Sequence, residues 1–254
     1  MSDMVEEQQT MIAWAITDKG LARRENQDSF HLEVSHAVNQ ALCVVCDGMG
    51  GAKSGNVASQ MAAGTFMDEM RFQAKPGMSP RAVRTALVSS VAAANMRVYE
   101  KAQSSSEFYG MGTTLVGAAV SRGSALIVNV GDSRAYLVDT EGITQITRDH
   151  SLVEDLIGRG ELSREEAKVH PSKNLITRAL GTEAAVIPDL FTVELREGDF
   201  LLLCTDGLTN VVDDQEILFE ILHGGDPADC CERLKNLAND RGGPDNITLV
   251  LVHI

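Results

Sequence analysis

Gly112-Thr-Thr-Leu-Val-Gly-Ala-Ala-Val-Ser-Arg-Gly-Ser-Ala-Leu-Ile-Val-Asn-Val-Gly-Asp-Ser-Arg-Ala-Tyr-Leu-Val-Asp-Thr-Glu-Gly-Ile-Thr-Gln-Ile-Thr147 is the stretch that decides the fold class. Its runs 114–120, 125–130, 134–139 and 143–147 have strand length and strand composition, and Gly123 and Gly142 mark turns between them. The gaps are too short for a crossover helix, so the stretch predicts an antiparallel meander rather than a βαβ series.

Upstream, 12–17 and 30–34 read as short strands and 41–46 as a strand buried on both faces. Asp47-Gly-Met-Gly-Gly51 reads as a turn opening into a helix, on which Val57, Ala58, Met61, Ala62, Phe66 and Met70 recur at helical spacing. A second helix is capped by Ser79, has Pro80 in its first turn, and carries Val83, Leu87, Val91, Ala94 and Val98 on one stripe. Downstream, 149–181 interrupts the strands with two short helices, 152–158 and one from Ser163 with Glu166 completing a capping box, which together form a candidate flap. Strands follow at 190–195 and 200–204, then helices at 214–222 and, with Asp226 as cap and Pro227 in the first turn, at 227–239, then a last strand at 246–252. With no internal repeat or linker, the expectation is a polar tail (1–10) and a single α+β domain (11–254), its helices segregated onto antiparallel sheets.

Hydrophobic residues make up 44% of the chain and charged residues 23%, a globular balance that argues against disorder. No apolar run approaches the about 18–20 residues of a membrane span, and the acidic start is unlike a signal peptide, so a cytoplasmic protein is expected. The net charge of −14 argues against nucleic-acid binding, which needs a basic face. Cys43, Cys46, Cys204, Cys230 and Cys231 read as free core cysteines. A strand sends Cys43 and Cys46 to opposite faces, which spoils them as a zinc or redox pair.

The chemistry-bearing feature is an aspartate repeated at strand ends. Asp47 closes Ala-Leu-Cys-Val-Val-Cys, Asp132 closes Leu-Ile-Val-Asn-Val-Gly, Asp206 closes Phe-Leu-Leu-Leu-Cys-Thr, and Asp245 opens the last strand. Singly, an Asp-Gly is a turn dipeptide. Gathered at the rim of one core, such carboxylates would repel and raise one another's proton affinity unless a cation neutralised them. Oxygen donors with no His or Cys suit magnesium, manganese or calcium, and the absence of EF-hand spacing weighs against calcium. Two such ions about 3.5–4 Å apart are the usual device for phosphate-ester hydrolysis. Arg23 and Arg24, in a turn between strands, are the available guanidinium groups for phosphate, although an arginine pair is more often merely solvated.

At these residues the chain resembles the PPM (PP2C-type) metal-dependent serine/threonine phosphatases, in particular the compact bacterial members. The matching runs, in family order, are Thr17-Asp-Lys-Gly-Leu-Ala-Arg-Arg-Glu-Asn-Gln-Asp-Ser29, Asp47-Gly-Met-Gly-Gly51, Gly112-Thr-Thr114, Gly131-Asp-Ser-Arg-Ala-Tyr136, Asp149-His-Ser151, Leu175-Ile-Thr-Arg-Ala-Leu-Gly181, Leu203-Cys-Thr-Asp-Gly-Leu208 and Gly242-Gly-Pro-Asp-Asn-Ile-Thr248. The resemblance implies a four-layer α-β-β-α sandwich of two antiparallel sheets flanked by helix pairs, with 149–181 as a small helical flap. It implies that Asp47 bridges two manganese or magnesium ions, that the Gly48 carbonyl binds the first, and that Asp206 and Asp245 complete the second. Asp28 would hold waters on the metals, Asp132 would contribute to a third, looser site, Asn246 would support the turn presenting Asp245, and Arg23 would bind the substrate phosphate.

The implied activity is hydrolysis of phosphoserine and phosphothreonine in proteins, with phosphorylated proteins, including a Ser/Thr protein kinase, as partners of a monomeric enzyme. Two departures stand out. Met49 occupies the place where eukaryotic members carry a histidine that protonates the leaving oxygen, as is common in bacterial relatives. Gln27 stands where many relatives have Glu, which predicts somewhat weaker metal affinity. The histidines get a bland reading: His150 and His170 lie in or beside the flap, where they could touch substrate, and nothing in the histidine spacing suggests a ligand pair. Rival readings are a branch acting on small regulatory proteins, a silent phosphoprotein binder, and a calcium-binding structural domain.

Overall fold

The computed structural model describes residues 10–50 and 54–254. The expected polar tail, Thr10 apart, and Gly51 of the Asp47–Gly51 run lie outside the described residues. In chain order the first half comprises β1 (Ile12–Asp18), β2 (Asp28–Ser35), β3 (Gln40–Met49), α1 (Ser54–Gln73), α2 (Pro80–Ser104), β4 (Gly112–Thr113), β5 (Leu115–Ser121) and β6 (Ser124–Val130). The second half comprises β7 (Arg134–Asp139), β8 (Gly142–Gln145), α3 (Leu152–Gly158), α4 (Arg164–Lys168), β9 (Asp189–Glu194), β10 (Phe200–Cys204), α5 (Asp206–Thr209), α6 (Asp214–His223), α7 (Pro227–Asp240) and β11 (Ile247–His253).

The strands form two antiparallel sheets, β1-β11-β10-β7-β8 and β2-β3-β5-β6-β9, with β4 added to the end of β3. Alternation along each strand builds the layers. Cys43 and Val45 of β3 and Ile127 of β6 pack between the sheets against Leu201, Leu203, Val250 and Val252. The alternate residues Val44, Cys46 and Val128 face α1 and α2, meeting Ala62, Phe66, Leu87 and Val91. Leu202, Cys204, Leu249 and Leu251 face the other helix pair, meeting Ile217 and Ile221 of α6 and Cys230 and Leu234 of α7. The architecture is therefore the helix–sheet–sheet–helix sandwich. All five cysteines are free and buried, with Cys43 and Cys46 on opposite faces of β3 as the strand period requires.

The helix signals were local and hold. The Ser79 side chain accepts from the Ala82 amide, Ser163 and Glu166 form the reciprocal capping box, and Asp226 caps α7 at Pro227. The meander does not hold as a single sheet. β5 and β6 lie in one sheet, β7 and β8 in the other, and β7 pairs with β10 rather than with β6. The chain crosses between sheets at Gly131, whose φ of +109° a side chain would strain, and whose Cβ would stand 2.6 Å from the Thr114 side chain. Strands buried on both faces look alike whether the next strand is a ladder neighbour or belongs to the opposite sheet. The expected turn at Asp47–Gly48 is also strand: β3 continues to Met49, pairing Gly48 with Thr113 and Met49 with Gly112. Among the described residues no helix is long and apolar enough to cross a membrane.

Candidate active site

The β2–β3 ladder sets Asp28 directly opposite Asp47, two carboxylates on a cross-strand pair, an arrangement that is destabilising unless something compensates. Asp28 is buried, and its Oδ2 accepts from Thr205 Oγ1 at 2.9 Å and Thr248 Oγ1 at 2.7 Å. Thr248 belongs to β11 of the other sheet and Thr205 directly follows β10 of that sheet, so this carboxylate ties the two sheets together. Asp28 is pushed up to about 7, chiefly by burial and then by Asp206 and Asp245, against the pull of the two threonines. Asp47 is held by its backbone: its amide donates to Thr114 Oγ1, and its carbonyl accepts from the Thr114 amide and Thr113 Oγ1. Burial, followed by Asp28, Asp206, Asp132 and Asp245, lifts its carboxyl well above the usual range.

Gly48 sits where backbones nearly touch. A Cβ there would lie 2.1 Å from the Gly55 carbonyl oxygen, and the Gly48 amide donates to the Gln27 carbonyl at 3.1 Å. No side chain fits, so the start of α1, the residue before Asp28 and the end of β3 close on one another.

Asp206 is the first residue of α5, a single helical turn after β10. Asn210 donates to its Oδ2 at 2.9 Å, and Asp47 is a close electrostatic neighbour. Burial first, then Asp245, raises its carboxyl. Asp132 lies in the Gly131–Ser133 crossover, buried and pushed to about 7 by burial, Asp206 and Asp149. Asp245 lies just before β11, where Arg23 Nη2 donates to its Oδ2 at 2.6 Å.

Asn246 organises this corner. Its Oδ1 accepts from the Gln27 amide at 2.8 Å, and its Nδ2 donates to the Lys19 and Glu25 carbonyls at 2.8 and 2.9 Å. It therefore anchors the whole loop that carries Arg23, as well as the turn beside Asp245. Arg24 is exposed on that loop.

The structure thus gathers Asp28, Asp47, Asp132, Asp206 and Asp245, with Arg23, Gly48 and Asn246, at one end of the sandwich. Asp28 Oδ1, Asp132 Oδ1 and Asp206 Oδ1 are buried with no hydrogen-bond partner in a site whose charges are mostly negative. Such oxygens are costly unless a cation or protons compensate them, and an all-oxygen donor set suits a hard divalent ion. Among the described residues no three His, Cys, Asp or Glu side chains close on one point as a finished ligand cage.

Residues missed from the sequence are Thr205 and Thr248, together with Thr17, whose hydroxyl bonds Thr248 Oγ1 at 2.7 Å. The available signal was position, since Thr205 directly precedes Asp206 and Thr248 follows Asp245 by three. His150 faces the Gly131 crossover. It is buried, with Nδ1 accepting from the Gly131 amide at 3.0 Å.

The sequence profile described as Protein phosphatase 2C matches residues 22–226. The chain belongs to the protein phosphatase 2C family. This phosphatase is 39% identical over 236 residues to the serine/threonine phosphatase stp of Listeria welshimeri, covering 93% of each chain. Its fold superimposes on the crystal structure of serine/threonine phosphatase Stp1 from Staphylococcus aureus with a TM-score of 0.89 and 40% identity, covering 97% of this chain and 96% of that one. It also matches the catalytic domain of the serine/threonine protein phosphatase PstP in complex with two manganese ions, at a TM-score of 0.82 and 36% identity over 96% of this chain and 97% of that one. Membership and fold together make the protein a metal-dependent serine/threonine phosphatase.

Proposed function

We propose that this phosphatase hydrolyses phosphoserine and phosphothreonine in proteins at a dinuclear manganese or magnesium centre, reversing the action of Ser/Thr kinases. The observation that carries the reading is the convergence of five aspartates with three buried carboxylate oxygens that lack partners. The manganese-bound relative PstP supports the choice of ion.

In this reading Asp47, the Gly48 carbonyl, Asp206 and Asp245 would hold two ions, and Asp132 would serve a looser third. When bound, such ions acidify water for attack and offset charge on the phosphoryl group. Asp28 orients water, its geometry held by Thr205 and Thr248. Arg23, half-exposed beside the cluster, offers a planar guanidinium to the phosphate oxygens, and Asn246 holds its loop in register. We read residues 11–254 as one phosphatase domain with 149–181 as its flap, acting as a cytoplasmic monomer on phosphorylated proteins, a partner kinase included.

Phosphate release from a phosphothreonine peptide tests this after chelation and again with manganese restored, with Asp206→Ala alongside. Release that requires manganese and disappears in the variant is expected. Folded wild-type protein that releases no phosphate at any manganese concentration overturns the reading in favour of a silent phosphoprotein binder.

A further inference from the structure

The catalytic reading leaves one buried imidazole unused. His150 lies between the crossover that carries Asp132 and the segment that follows the flap helices. It clamps Gly131 twice: the His150 backbone amide donates to the Gly131 carbonyl at 2.9 Å, and the Gly131 amide donates to His150 Nδ1 at 3.0 Å. The His150 carbonyl in turn accepts from the Thr177 amide at 2.8 Å. On the far side of the ring, Nε2 lies 3.3 Å from Asp189 Oδ2 and 3.0 Å from Arg178 Nη1.

The hydrogen-bond inventory fixes the tautomer. Both hydrogens of Arg178 Nη1 are engaged, by the Ile187 carbonyl at 3.0 Å and Asp189 Oδ1 at 2.9 Å. Nδ1 must be bare to accept from Gly131, so Nε2 carries the proton and donates to Asp189. Burial lowers the affinity of His150 for a second proton, in keeping with a neutral ring.

Asp132 depends on this arrangement. Its Oδ1 is buried without a partner, so its direction follows from where the crossover backbone runs. Asn129 Nδ2 also donates to the Gly131 carbonyl at 3.2 Å, and Ser133 Oγ meets Thr114 Oγ1 at 2.6 Å. Between these two ties, where β6 and β7 part into different sheets and Gly131 stands at a φ of +109°, the Gly131 amide is held by His150.

We propose that His150 is a positioning residue for Asp132: its neutral imidazole holds the Gly131 amide and links the crossover to Asp189, so that the Asp132 carboxyl is aimed at its cation from the root of the flap. The proposal rests on the reading of Asp132 as a ligand of the loosest ion. Partners that orient metal ligands are worth about tenfold to a hundredfold in affinity, and His150 acts one peptide removed, so about tenfold is expected.

The test compares His150→Asn, whose Oδ1 can stand where Nδ1 stands, with His150→Gln, which extends toward the Nε2 position, and with His150→Ala. Manganese titration by calorimetry reads the weakest binding step, and amide hydrogen exchange reads Gly131. His150→Ala and His150→Gln are expected to weaken that step about tenfold and to speed Gly131 exchange, while His150→Asn keeps both near wild type. Equal loss in Asn and Gln, or no loss in either, overturns the proposal, and this contrast does not need the alanine variant to fold. Failure of the dinuclear reading shows separately, as a wild-type protein that binds no manganese.

Discussion

Two halves of the acidic cluster are held in different ways. Asp28 and Asp47 face each other inside the β2–β3 ladder, where backbone pairing places them whatever their charges prefer. Asp206 and Asp245 stand beyond the ends of β10 and β11 and are placed by side chains, Asn210 for the one and Arg23 for the other. Asn246 ties the Arg23 loop to this second half. The ladder stores repulsion because its hydrogen bonds outweigh it, whereas the loop half keeps its geometry only while a few polar contacts survive. The cluster is therefore rigid on one sheet and adjustable on the other.

The largest expected effect breaks the adjustable half. Asn246→Ala takes their partner from the half-buried Gln27 amide and from the Lys19 and Glu25 carbonyls and destabilises the protein by about 3 kcal/mol. A thermal melt should fall by about 6–12 °C. A loss confined to activity, with an unchanged melt, would mean that the loop does not depend on this side chain.

The rigid half should respond in the opposite sense. Asp28→Asn keeps an acceptor for Thr205 and Thr248 but removes one of two opposed buried charges. Above pH 7 the chelated variant should be more stable than wild type by about 1–2 kcal/mol, read by denaturant titration, while its manganese affinity falls about tenfold or more. A destabilised chelated variant would show that the carboxylate is needed as a sheet-to-sheet tie and carries no stored repulsion.

A pH profile follows from the same difference. Asp28 and Asp132 rise from 3.8 to about 7 on folding, so between those values the folded chain holds protons that the unfolded chain has released. Stability then falls as pH rises, in full effect only once pH exceeds about 7. Chelated protein should melt at progressively lower temperature from pH 4 to pH 8, and manganese should restore most at the upper end. A profile flat across that window would show that burial and the neighbouring aspartates do not hold protons on Asp28 and Asp132.

The smallest effect sits where the halves meet. Gln27 precedes Asp28, its amide bonds Asn246, and its carbonyl receives Ser59 Oγ at 2.6 Å. Gln27→Glu adds an outer negative charge and should tighten manganese binding by about twofold to threefold, the scale of a partly exposed charge. Unchanged or weaker binding in the calorimeter would remove Gln27 from the metal site.

Much of this was legible in one dimension. Ser79, Ser163 with Glu166, and Asp226 announce their helices through hydrogen bonds that close within a few residues. Asp47, Asp132 and Asp206 were visible as carboxylates ending apolar runs and Asp245 as one opening the last, and the alternation of Cys43 and Cys46 across β3 follows from the strand period alone. The partners of those aspartates were harder to see. Thr205 and Thr248 reach Asp28 over 177 and 220 residues, and nothing in the identity of a threonine says which carboxylate it will meet. His150 was hard to place for a similar reason, since nothing in a histidine beside a flap says that Gly131 will stand against its ring.

By itself the sequence determined the kinds of element, their caps, the burial period of each strand and the chemistry of the site, an excess of hard oxygen donors with an arginine nearby. These depend on local backbone geometry and on side-chain type. Tertiary structure alone decided that β6 and β7 part into different sheets, that Asp28 stands opposite Asp47, and that Asn246 fastens the Arg23 loop. Strands buried on both faces carry the same apolar pattern in either sheet, so only packing the two sheets against each other selects the arrangement in which the aspartates share one end.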